Sequence, residues 1–374
     1  MGVCVYCMKI GTPFIQGYLD NGKLPCGDDS SIDSGLVAWK RLKVMLDEGV
    51  DAGQTFSQGI VSTYSLLYTV ATQGHGACIG VDGSIYFIPL SGAVGQKISK
   101  EGVASTYSLV YTTASAYAGG VLSSNGDIHM VPYNAPVGQK ISPSGVVSTY
   151  SLAYTKALAY VGGVLSPNGD IRFVPCSAPV GQKVSSTGVV STYSLAYTAA
   201  NGYYGGVLAP NGDIHFNPLT ALVGQKVSSS GVVSTYSINI SPSYTGVLDL
   251  DGNIHFIPHS GSLVNKISTS GIISTYSLVY TTSEAYVGGV LAPNGDIHLV
   301  PYQASVGQKI SNTGVVSTYS LPYTAAAAYA GGILNENGDV HFIPRSATVG
   351  QKISTNCEVP FSLGICCSPF FNKF

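Results

Sequence analysis

The run GVVSTYSLAYTKALAYVGGVLSPNGDIRFVPCSAPVGQKVS, from Gly145 to Ser185, is written with small variations seven times between Ile60 and Ser354. The tyrosine of its Ser-Thr-Tyr-Ser element returns at Tyr64, Tyr107, Tyr150, Tyr193, Tyr236, Tyr276 and Tyr319, with a spacing of 43 residues at every step but one, where it is 40. The proline that closes a later landmark keeps the same rhythm at Pro89, Pro132, Pro175, Pro218, Pro258, Pro301 and Pro344. Two markers with one period mean that whatever one unit forms, seven must form and stack, because so short a unit cannot bury its apolar face alone.

Each unit reads as four short strands. In the second, residues 103–112 alternate Tyr107, Leu109 and Tyr111 against Thr106, Ser108 and Val110, and residues 116–122 carry the Gly119-Gly120 pair, where a missing Cβ permits a close backbone approach. Ser124-Asn125-Gly126-Asp127 is a turn signal, residues 128–131 run into the Pro132 stop, and 137–141 supply the fourth strand. Apolar residues on both faces of several strands fit sheets stacked face to face around an axis. An interlocked trimeric β fibre is the competing arrangement.

Composition limits the function. The 374 residues carry a net charge of -2 and only 10% charged residues, which offers nucleic acid or an anionic membrane no broad attraction, while 45% hydrophobic content excludes a disordered chain. No stretch reaches the length of a membrane helix, and MGVCVYCMKIGTPF lacks the pattern of a signal peptide. The expectation is therefore no nucleic-acid partner and no membrane insertion.

Three regions follow: an extension over 1–52, the repeat array over 53–354 and a tail over 355–374. Residues 34–48, with Leu36, Trp39, Leu42, Val44, Met45 and Leu46, predict one amphipathic helix. Residues 52–57, AGQTFS, resemble the Val-Gly-Gln-Lys-Ile-Ser element that ends each unit, a spare leading strand of the kind that closes a ring. The tail FSLGICCSPFFNKF presents Phe361, Phe370, Phe371 and Phe374, which with Trp39 are the candidate partner-binding residues. Cys4 and Cys7, with Cys26, are weak metal candidates; disulfides or free thiols are the alternatives.

Repetition turns single residues into rings. His129, His215, His255, His298 and His341 share one position, with Tyr86 and Arg172 in the other two units. Too widely spread for a common metal, they read as structural. Lys97, Lys140, Lys183, Lys226, Lys266, Lys309 and Lys352 share another, either pairing with nearby aspartates or forming a collar at the channel. The Asn-Gly-Asp turns lack the further carboxylates that calcium needs. The fifth unit is shorter, and its Ser237–Gly246 stretch is a candidate docking notch. No nucleophile elbow, zinc-binding helix or phosphate loop is present, and the units look interchangeable, so neither enzymatic activity nor a cofactor is expected.

Gly-Gly-Val-Leu-x-x-Asn-Gly-Asp-Ile-His-Phe-x-Pro, over residues 53–354, resembles the repeats of short-blade β-propeller proteins. The resemblance implies an all-β, seven-bladed propeller of four-stranded antiparallel blades, with an N-terminal extension containing one helix and a C-terminal docking tail. It also implies a binding surface. The expected role is a structural and attachment protein of a virus particle, of bacteriophage type, made in the host cytoplasm and docked to other structural proteins of the same assembly. The alternative is a multivalent lectin for host-surface glycan, cytoplasmic or released without a classical signal.

Overall fold

The computed structural model describes residues 60–69, 75–239, 241–335 and 337–354, and all secondary structure among them is strand. Seven four-stranded antiparallel sheets follow one another as blades of a propeller. In the second blade the strands are, from the channel outward, Tyr117–Leu122, Ile128–Pro132, Val137–Ile141 and Val147–Ser151. The innermost strands of successive blades pack on one another around the axis.

Sequence chemistry accounts for each piece. Asn125 Oδ1 accepts from the backbone N–H of Asp127, Gly126 takes φ 86°, and its N–H donates to the carbonyl of Ser123, so the first two strands turn tightly. The innermost strand is buried along its whole length, which its Tyr-Ala-Gly-Gly-Val-Leu composition permits. Tyr117 anchors it by donating to the carbonyl of Val137 at 3.0 Å.

In six blades the tyrosine of the outer strand explains a glycine directly opposite it on the third strand. A Cβ on Gly138 would stand 2.2 Å from the Tyr150 ring, and Gly95, Gly181, Gly224, Gly307 and Gly350 meet Tyr107, Tyr193, Tyr236, Tyr319 and Tyr64 in the same way. Each of the six Gly-Gln-Lys elements thus makes room for a Ser-Thr-Tyr-Ser tyrosine; in the fifth blade Val264 stands where the others have the glycine. The glutamine staples neighbouring blades: Gln139 Oε1 accepts from the backbone N–H groups of Val110 and Tyr111, in the connection arriving from the previous blade.

One expectation changes here. The Ser-Thr-Tyr-Ser strand does not open the blade that follows it; it is the outermost strand of the blade before. The ring therefore closes through Ile60–Ser65, which pairs antiparallel with Val349–Ser354 and completes the seventh blade, with Tyr64 opposite Gly350. The spare 52–57 element, the helix over 34–48, Trp39, Cys4, Cys7, Cys26, Phe361, Phe370, Phe371 and Phe374 lie outside the described residues.

Candidate functional site

The repeated polar residues sit away from the channel. Lys140, Lys183, Lys226, Lys309 and Lys352 occupy third strands and hold Asp127, Asp170, Asp213, Asp296 and Asp339 at 2.5–2.7 Å. Lys97 is 3.4 Å from Asp82, and Lys266 is 3.8 Å from Asp249. With lysines about a third exposed, each pair adds little to stability. One strand inward, the buried histidines meet the outer-strand tyrosines: Nδ1 of His129, His215, His255, His298 and His341 lies 2.7–3.2 Å from the hydroxyls of Tyr150, Tyr236, Tyr276, Tyr319 and Tyr64. Arg172, in the histidine position of the third blade, lies over the Tyr193 ring at 5.1 Å. Among the described residues no group of three or more His, Cys, Asp or Glu could hold a metal ion.

The channel mouth is different. Tyr117 pairs with Pro132, so residue 118 lies one step deeper along the channel and residue 133 one step nearer the mouth. Across the seven blades the deeper position is His75, Ala118, Val161, Tyr204, Tyr244, Val287 and Ala330, and the upper one is Leu90, Tyr133, Cys176, Leu219, His259, Tyr302 and Arg345. These positions vary most where their neighbours are nearly invariant. The deeper residue falls within the register shift between Tyr117 and Gly120, and Tyr204 and Tyr244 occupy matching shifts, which is how a strand bulge re-aims a side chain.

Six of these side chains form one continuous chain. His75 Nε2 lies 2.6 Å from the Tyr204 hydroxyl. The Tyr204 and Tyr244 rings are 4.3 Å apart, and Tyr244 stacks on His259 at 4.0 Å. His259 meets the Tyr302 ring edge-on at 5.7 Å, and the Arg345 guanidinium lies 5.2 Å over that ring. Ala118, Val161 and Cys176 form an apolar cluster against which Leu90, Tyr133, Tyr204 and Tyr244 pack.

Burial sets the protonation states. Desolvation, helped by the positive Arg345, pushes His75 down to about 4 and also lowers His259, so both imidazoles are neutral at pH 7. Desolvation raises Tyr204 and Tyr244, and pushes Cys176 up to about 11. Neutral imidazoles can accept a proton, phenols can donate one, and a guanidinium can hold an anion.

The shortened stretch adjoins this cluster. It connects Val233–Tyr236, the outer strand of the fourth blade, to Ser243–Leu248, the inner strand of the fifth, one residue from Tyr244. Asn265 replaces the stapling glutamine and donates to the carbonyl of Asn239 at 3.1 Å. The buried Asn217, where other blades carry Val or Ile, donates to the carbonyls of both Tyr204 and Tyr244. A separate cavity of about 110 Å³ lies in the seam between the seventh and first blades. Its polar groups are already engaged, Lys352 with Asp339, Asn335 with His341 and Asn337 with the Lys100 carbonyl, so it reads as a packing gap.

No protein-family model matches the chain, and no curated protein does. Solved structures do. A streptogramin B lyase matches with a TM-score of 0.70 at 20% identity, over 80% of this chain and 99% of its own. Virginiamycin B lyase from Staphylococcus aureus matches with a TM-score of 0.70 at 17% identity, over 79% and 99%. The extracellular domain of the one-component system BT4673 from B. thetaiotaomicron matches with a TM-score of 0.59 at 10% identity, over 80% of this chain and 40% of that one. The common ground is the fold. The expectation that the protein is not an enzyme is overturned by the first two: propellers of this shape include lyases, and the fold is compatible with catalysis. The units are interchangeable in their catalytic-motif positions but differ at two channel-facing positions per blade.

Proposed function

We propose that the protein binds one small, ring-bearing organic molecule at the channel mouth, and that any turnover takes place there. The observation that carries this reading is the chain from His75 through Tyr204, Tyr244, His259 and Tyr302 to Arg345, placed once per molecule in a body otherwise built from sevenfold repetition. Aromatic faces supply stacking area at low entropic cost, and neutral imidazoles beside phenols supply proton exchange. Lyases of the same fold support a mouth that does more than hold its ligand.

A sevenfold lectin would need stacking tyrosines presented outward. Six of the seven Ser-Thr-Tyr-Ser rings instead lie over glycines, and five have their hydroxyls on buried histidines, which favours the single site. The solved structures named above are lyases and a sensor domain, so a virion attachment role draws no support from them.

The test is ligand-observed NMR of a panel of ring-bearing small molecules against the native chain and the Tyr244→Ala and Tyr302→Ala variants, with mass spectrometry of the hits after incubation. Hits that vanish in both variants support the reading; hits indifferent to both contradict it. A hit that returns chemically altered establishes turnover.

A further inference from the structure

We infer that the ligand of the channel mouth carries a carboxylate or similar compact anion on its ring, received by Arg345. This rests on the small-molecule reading above and names the ligand's class.

Arg345 is the one cation at the fourteen channel-facing positions, seven in each of the two layers. Among the described residues no carboxylate lies within ion-pair distance of it; every lysine held by an aspartate sits on a third strand instead. Its guanidinium is seated on the Tyr302 ring, a contact that uses the face of the group and leaves the in-plane N–H donors for a planar acceptor. Its field reaches the rest of the chain, since it is among the causes that lower His75 and His259. Neutral imidazoles leave that positive charge uncompensated from within the cluster.

The opposite sign is placed to one side. Glu284, at the rim of the sixth blade, accepts from the Gln303 amide and acts on Tyr244 and His259. Its backbone holds φ 55°, a left-handed conformation shared by its counterparts Ser115, Leu158, Asn201 and Ala327, so the turn belongs to the scaffold and only the side chain is particular to this blade. Glu284 and Arg345 therefore act with opposite sign on Tyr244 and His259. A flat ring lying against them directs an acidic substituent to Arg345 and is repelled if that substituent points to Glu284.

Benzoate and its neutral isostere benzamide test this. Titrated by ligand-observed NMR into the full chain at low salt, benzoate binds about tenfold tighter, a difference of about 1.4 kcal/mol, as a charge-assisted contact gives. The preference disappears in Arg345→Gln, is partly kept in Arg345→Lys and shrinks with added salt, while Tyr302→Leu weakens both probes. Equal affinity of the two probes, or a preference that persists in Arg345→Gln, overturns the anion assignment but leaves the site. Binding of neither probe, or binding indifferent to Tyr302→Leu, overturns both.

Discussion

His75 Nε2 and the Tyr204 hydroxyl meet at 2.6 Å although 129 residues separate them along the chain, one in the first blade and the other in the fourth. The two blades are not neighbours, so the contact crosses the channel and ties its walls together. Tyr204→Phe removes one hydrogen bond between buried groups and lowers stability by about 1–3 kcal/mol, measured as a shift of the urea midpoint at constant slope.

A methyl group at Gly138 would stand 2.2 Å from the Tyr150 ring, whereas nothing lies within 4 Å of the same addition at Gly145, which has φ 82°. Gly138→Ala therefore displaces Tyr150 and loosens His129, at a cost of about 1–3 kcal/mol. Gly145→Ala costs about 1–2 kcal/mol through backbone strain alone. NMR titration separates the two: His129, pushed down to about 4 by burial, moves up toward its ordinary value only in Gly138→Ala.

The period made the blades legible, because turn, glycine pair and proline each recur where every blade needs them. It did not show which strand bonds to which, so the outer strand Val147–Ser151 was expected to begin a blade that it does not belong to. The site was hidden for the opposite reason. Packing against equivalent neighbours keeps Gly138 and Tyr150 the same in most units, but His75 and Tyr204 meet unlike partners across the axis, and Arg345 meets Tyr302 of the neighbouring blade, so they escape that constraint. Their signal was disagreement among repeats at two fixed positions.

Acid should weaken the fold before its carboxylates titrate. His75, His129, His215, His298 and His341 are each pushed down to about 4 by burial. Below about pH 6.5 the unfolded chain binds protons that the folded chain refuses, so stability is complete above that pH and is lost as pH falls toward 4. Thermal melts at pH 7.5, 6 and 5 should show a falling midpoint, and a flat profile would contradict the buried, neutral state of these rings.

Ring closure gives a further prediction. Tyr64 places its ring over Gly350 and its hydroxyl 3.2 Å from His341 Nδ1, where the first described strand completes the last blade. Tyr64→Ala should cost about 2–3 kcal/mol, less than loss of a fully buried aromatic because the ring is only half-buried. Hydrogen exchange should quicken in Val349–Ser354 ahead of the second blade; equal quickening everywhere would argue against closure at this seam.

The central claim is that one mouth, and not seven blades, carries the function. A crystal soaked in benzoate tests it most directly. The account predicts a single site, its carboxylate on Arg345 and its ring against the Tyr244, His259 and Tyr302 cluster. Density repeated in the seams between blades, with the mouth left empty, would contradict it.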